Sequence, residues 1–162
     1  MNIRKFEKED FNAVKGIYQQ GIDTGDATFQ QTAKSWQDWN RSMLTNCRIV
    51  ATNNKQILGW AGLSAVSSRA VYSGVVEVSV YVSESSQGMG VGQKLLSQLI
   101  LESEKHDIWM LQAGIFPENI ASIELHKKNG FRKVGIREKV GKMNGLWRDS
   151  VFMERRSQII GI

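Results

Sequence analysis

Apolar positions along the 162-residue chain change period several times, and each change marks an element. Ile3 to Phe6 reads as a short strand, and the run Lys8 to Ile22 puts Phe11, Val14 and Tyr18 on one helical face. Trp36, Trp39 and Met43 repeat that spacing in a second short helix, after a segment from Gly25 to Gln31 that reads as loop. Arg48 to Thr52 and Gln56 to Ser67 are predicted strands joined by Asn53-Asn54, a pair able to occupy a left-handed turn. Val76, Val78, Val80 and Val82 alternate with Glu77, Ser79 and Tyr81, which predicts a strand with one apolar and one mixed face and sets Glu77 opposite the valines. Val91, Leu95, Leu96, Leu99 and Ile100 form a helical stripe ending near His106, and Trp109 to Phe116 reads as the next strand. Asn119 can cap a helix running to Asn129, with Gly130 as its left-handed C-terminal residue. Phe131 to Val140 and Trp147 to Arg155 close the chain as strands turned at Asn144-Gly145. The resulting order, β-α-α-β-β-β-α-β-α-β-β, predicts an α/β or α+β fold on a mixed sheet.

Composition narrows this further. A chain of this length suits one compact domain, taken as residues 1–162, and no repeat, low-complexity tract or linker interrupts it. The single cysteine, Cys47, excludes an internal disulfide and supplies no zinc spacing, so no metal is expected and Cys47 reads as a small buried apolar residue. Met1 to Asp10 is charged where a signal peptide needs an apolar stretch, and no apolar run approaches a membrane span of ~20 residues; a cytoplasmic location without membrane contact is expected. The net charge of +5 suits nucleic acid or a polyanionic cofactor equally well. Without aromatic-basic interleaving, nucleic-acid binding is not expected.

Gln87-Gly88-Met89-Gly90-Val91-Gly92 lies between the valine strand and the longest amphipathic helix. There, backbone N–H groups at a helix N-terminus can form a nest for a diphosphate, with glycine allowing close approach. Gly92-Gln93-Lys94 lacks the Lys-Ser/Thr of a Walker loop, and the glycine spacing fails the dinucleotide fingerprint. Gln87, Gly90 and Gly92 instead resemble the coenzyme A motif Gln/Arg-x-x-Gly-x-Gly/Ala of the GNAT superfamily of N-acetyltransferases. Asn119 to Phe131, with Ser122, His126 and Gly130, resembles that superfamily's second cofactor segment. Within it the chain is most similar to the phosphinothricin and methionine sulfoximine acetyltransferase group, over nearly its whole length. The pieces that carry this are Thr28-Phe29, Arg69 with Tyr72, Val76-Glu77, Leu125-His126, Gly130-Phe131 and Gly145-Leu-Trp147-Arg-Asp149. Ala70 and Val71 depart from the Asn-Ala common in the herbicide-acetylating enzymes.

The resemblance implies the GNAT fold, with a mostly antiparallel sheet of about seven strands and about four helices. It also implies acetyl-CoA as co-substrate, a homodimer, and transfer of the acetyl group to the primary amine of a small amino-acid-like molecule. A protein or polyamine acetyltransferase, or a coenzyme A binding module without turnover, remain the alternatives. An amine attacks a thioester only when neutral, so a base is needed. Glu77 is the candidate, made a better base by partial burial; the other reading is a carboxylate paired with a cation on a sheet face. Asn119, Ser122 and His126 share one helical face. By resemblance Asn119 and Ser122 line the pantetheine arm, and His126 stands where many relatives carry a tyrosine that protonates the leaving thiolate; the plain alternative is a surface histidine. Val80, Tyr81 and Val82 would offer main-chain groups to pantetheine, with an oxyanion donor near Val80 at a strand bulge. Gln87, Gly88, Met89, Gly90, Val91 and Gly92 complete the expected cofactor site. For the acceptor, Arg69 offers a planar donor to a carboxylate or is a solvated loop charge, while Phe29 and Tyr72 wall the pocket. Trp147 reads as core and dimer packing, and His106 as surface.

Overall fold

The computed structural model describes residues 1–162, and its elements follow the predicted order. They are β1 (Asn2–Lys5), α1 (Phe11–Asp23), α2 (Trp36–Ser42), β2 (Ile49–Asn53), β3 (Gln56–Ala65), β4 (Val75–Val82), α3 (Val91–Lys105), β5 (Met110–Ile115), α4 (Ile120–Lys128), β6 (Arg132–Met143) and β7 (Leu146–Arg156). The expected first helix divides: Lys8–Asp10 is a separate tight turn, because Asp10 bonds the Glu7 amide at 2.8 Å and pairs with Arg4 at 2.8 Å. The Arg4 hydrogen bond holds the Asp10 carboxyl below its usual range.

All strands join one seven-stranded sheet in the order β1-β2-β3-β4-β5-β7-β6. Every neighbouring pair is antiparallel except β4 and β5. A parallel pair needs a crossover, and α3 supplies it. Its buried Val91, Leu95, Leu96 and Leu99 cover the valine face of β4 together with Leu63, Leu111 and Met153. On the other face α1 and α2 bury an aromatic cluster in which Phe11, Tyr18 and Trp39 meet Trp60 of β3. Trp60 stacks on Tyr81 at 5.1 Å, and Tyr18 meets both rings edge-on. Cys47 is buried, and that burial pushes its thiol up to about 11. Trp147 is not core: it is 60% exposed, near the tip of the β6–β7 hairpin.

The β4–β5 ladder is short. Only Val75, Val76 and Glu77 pair, with Met110, Leu111 and Gln112. Beyond them β4 stays on β3 in unbroken register from Ala65–Val76 to Gly59–Val82, and β5 stays on β7 through Ile115–Val151. The bulge expected near Val80 is therefore absent. The sheet opens because each strand keeps its outer partner while the inner edges part.

Candidate active site

The parted edges of β4 and β5 open into a cavity of about 1510 Å³ that reaches from the glycine-rich turn to Glu77. Val78, Val80, Tyr81 and Val82 line it on one side and Gly114, Ile115 and Phe116 on the other. A strand edge with no neighbour presents its own N–H and C=O groups, so the seam can bond an extended polar chain without any special side chain.

At one end of the cavity, Gly88 and Gly90 sit at φ 76 and 77, the left-handed region, and a Cβ on either would point into open space. Gly90 leads into α3 without a side-chain cap, and the first backbone bond of the helix runs from Lys94 N to Gly90 O at 3.1 Å. The amides of the first turn are thus unspent donors at the positive end of a helix, which fits a diphosphate. Gly92 does different work, since a Cβ there would lie 3.2 Å from Leu125 of α4. Gln87, Gly88, Gly90, Val91 and Gly92 line the cavity, whereas the Met89 side chain, 61% exposed, does not and can offer only its backbone.

Helix α4 brings Asn119, Ser122 and His126 to the same cavity. Asn119 caps the helix by accepting from Ser122 N at 3.2 Å, and its Nδ2 donates to Asp26 O at 3.2 Å, so both ends of its amide already have partners. His126 is no surface residue: it is 5% exposed, with its ring edge-on to Phe131 at 4.9 Å. Its Nδ1 lies 2.7 Å from Ser122 O, a carbonyl that can only accept. The proton therefore sits on Nδ1 in the neutral ring, leaving Nε2 as an acceptor. Burial lowers the His126 pKa, with the Ser122 bond opposing it.

Glu77 lines the other end, beside Ser64, its partner on β3. Its carboxylate is exposed rather than partly buried, and no cation pairs with it. Tyr18, Thr28 and Tyr81 form the nearby wall; burial and the adjacent Tyr18 raise the Tyr81 pKa, which keeps its hydroxyl protonated. Phe29 packs edge-on against Phe116 at 4.8 Å and rests on Gly141, where a Cβ would meet its ring at 2.8 Å. Arg69 and Tyr72 do not reach this cavity in the single chain. They occupy the exposed turn before β4, where the Arg69 guanidinium lies over the Tyr72 ring at 5.6 Å.

One functional element escaped sequence reasoning. Arg148 donates to Gly25 O at 3.0 Å, Asp26 Oδ1 at 2.8 Å and Glu118 Oε2 at 3.3 Å, and lies over the Phe116 ring at 4.0 Å. It clamps the loop that carries Phe29 onto the turn that opens α4. Its trace in the sequence is Gly145-Leu-Trp147-Arg-Asp149, where the tryptophan beside it is the more conspicuous residue.

Residues 3–152 match the acetyltransferase (GNAT) domain family. An L-methionine sulfoximine/L-methionine sulfone acetyltransferase of Salmonella typhimurium is 33% identical, over 95% of this chain and 93% of its own length. A phosphinothricin N-acetyltransferase of Alcaligenes faecalis is 30% identical, over 94% and 81% respectively. Among solved structures, a Salmonella typhimurium acetyltransferase determined with its cofactor acetyl-CoA superposes with a TM-score of 0.89 at 32% identity, covering 96% of this chain and 93% of that one. With the seven-stranded sheet, the β4–β5 seam and the glycine-rich turn in place, these matches make the chain a member of the GNAT family of N-acetyltransferases.

Proposed function

We propose that the protein transfers the acetyl group of acetyl-CoA to the primary amine of a small amino-acid-like acceptor, of the phosphinothricin, methionine sulfoximine or methionine sulfone type. The observation that carries this reading is the single cavity joining the helix N-terminus at Gly88–Gly92 to Glu77 through the open seam. A diphosphate at the α3 N-terminus and a pantetheine arm bonded to the main chain of Val80–Val82 would direct the acyl group toward Glu77. Glu77 takes the proton, directly or through water, that the acceptor ammonium must lose before its nitrogen lone pair forms the new C–N bond. As the C–S bond breaks, its electron pair leaves with sulfur, and main-chain N–H groups of β4 face the charge that develops on oxygen. The bonded nitrogen sheds its second proton as the amide forms, and His126 Nε2 can take that proton and pass it to the sulfur, a relay that returns the ring to its starting form.

A polyamine acceptor calls for an acidic pocket. Of the carboxylates lining the cavity, Asp26 and Glu118 are paired with Arg148 and Glu124 with Lys127, which leaves Glu77 alone against Lys34 and Arg137. That balance favours an acceptor with its own negative charge. The exposed Val134, Ile136 and Val140 on the edge strand β6, with Leu146 and Trp147 beside them, support a homodimer meeting along that strand. A free buried thiol is in keeping with work in the reducing cytoplasm.

The test is release of free coenzyme A thiol with methionine sulfone, methionine sulfoximine, phosphinothricin, a polyamine and a basic peptide offered in parallel. Turnover is expected with the amino-acid analogues, and Glu77→Gln should lower kcat/KM by about 10²- to 10⁴-fold while leaving coenzyme A affinity unchanged. Turnover confined to the polyamine or the peptide would overturn the acceptor assignment. Coenzyme A binding with no thiol release from any acceptor would leave a binding module.

A further inference from the structure

An amino-acid acceptor carries a carboxylate one carbon from its reacting amine, so its site needs a cation close to the seam. Arg69 does not line the cavity; the cations that do are Lys34, Lys128 and Arg137. Lys128 is the last residue of α4, next to Asn129, which bonds Gln93 of the first α3 turn at 3.1 Å, and so lies at the glycine-rich end. Lys34 is a compact ammonium in the segment before α2, without the planar fork that suits a carboxylate.

The ladders place Arg137 on the same sheet face as Glu77. Glu77 pairs with Gln112, and Gln112 with Glu154. Glu154 shares its face of β7 with Ser150 two alternations back, and Ser150 pairs with Arg137. Directly opposed residues point to the same side, so the parity carries across three strand pairs. Gly114, on the far edge of the seam, is a close neighbour of Ser150: a Cβ on Gly114 would lie 3.1 Å from Ser150 Oγ. Arg137 is therefore two strand spacings from the seam, ~10 Å between backbones, a gap that an arginine and an amino acid can fill between them.

Two local features bear on what Arg137 can do there. Between the pairs Arg137–Ser150 and Gly141–Arg148, β6 carries Glu138, Lys139 and Val140 opposite the single residue Asp149. Asp149 Oδ1 accepts from Lys139 N at 2.8 Å, and Lys139 takes φ 49, so the bulge is pinned by a side chain and turns the strand locally. Arg148, on the same face of β7, spends its guanidinium on Gly25, Asp26 and Glu118. The guanidinium of Arg137 has no hydrogen bond or ion pair in the chain, so its donors are free.

Resting on the reading of the site as an amino-acid acetyltransferase, we infer that Arg137 binds the acceptor's α-carboxylate as a bidentate pair. It is a specificity residue: it selects acids over amides and takes no part in moving protons.

The test compares methionine sulfone with its carboxamide in the wild type, Arg137→Gln, Arg137→Lys, Lys34→Gln and Arg69→Gln. Arg137→Gln is expected to raise KM for the acid by about 10- to 100-fold, the range of a charge-assisted hydrogen bond, with kcat little changed. Its kcat/KM for the carboxamide should move less than about threefold, Arg137→Lys should recover part of the loss, and Arg69→Gln should resemble the wild type. Equal losses on acid and amide, or an acid-specific loss in Lys34→Gln or Arg69→Gln with Arg137→Gln unaffected, would overturn the assignment. Wild-type protein inert toward both compounds would remove the amino-acid reading itself, and this inference with it, before any variant is compared.

Discussion

At position 126 an imidazole that ordinarily titrates at 6.5 lies 5% exposed, with its Nδ1 against a carbonyl and its pKa lowered by burial. The sign of the consequence follows from linkage. The unfolded chain takes up this proton before the folded one does, so the contribution of His126 to stability is complete above pH ~6.5 and is lost as pH falls from there toward its lower folded value. Thermal unfolding of the wild type should show that loss below pH ~6.5, while His126→Gln, whatever its overall stability, should show a flatter slope across the same window. An unchanged slope would mean that His126 does not titrate differently in the two states. Glu77 was legible in the sequence because strict alternation fixes which face a residue takes, whichever strand lies beside it. The exposure of Glu77 was not legible, because it depends on how far β5 diverges. The place of Arg69 stayed open for a similar reason: a short spacing to Tyr72 shows that the two side chains can meet, as they do, but not which surface they meet on. Arg137 could not be found at all, since its face is set by register across three ladders and one bulge.

Elements were predicted well wherever period and punctuation agreed. Gly130 takes φ 83 after α4, and Asn119 caps that helix, because local chemistry alone decides both. The start of α1 was set too early because Lys8 to Asp10 continues the helical pattern, and only the reciprocal contacts of Glu7 and Asp10 divide the turn from the helix. The loop between α1 and α2 has little regular structure of its own, so contacts from outside it, those of Arg148 among them, set its position. Arg148→Gln is expected to raise acceptor KM by about tenfold, since it removes charge-assisted bonds to Asp26 and Glu118, and to speed amide exchange over residues 25–30. Arg148→Lys should restore part of both effects. Exchange at wild-type rates in Arg148→Gln would show that Phe116 and Gly141 hold Phe29 without the clamp.

Across the whole molecule the sheet behaves as two blocks, β1 to β4 and β5 to β7, joined by three residue pairs and the α3 crossover. A ligand that bonds both inner edges bridges the blocks, and its binding free energy adds to folding. At a hundredfold excess over Kd the gain is about 2.7 kcal/mol. Coenzyme A should accordingly raise the melting temperature by about 5–10 °C for a chain of this size, and by the same amount in Glu77→Gln. Absence of a shift at saturating coenzyme A would remove the seam as its binding site. The sequence carried the strands and their order along the chain, because each announces itself through nearby residues. It did not carry the place where they part, because nothing in β4 interrupts its own ladder with β3.

The seam also bears on how such a protein can change over generations. Its donors and acceptors belong to the main chain, which every amino acid other than proline supplies alike. No ordinary substitution along Val78–Val82 deletes them. The groups proposed for the acceptor side, on Phe29, Ser64, Arg137 and Ser150, belong to side chains that line the cavity and can be exchanged one at a time. Inheritance can therefore retarget what is acetylated while the grip on the acyl donor passes unaltered from ancestor to descendant.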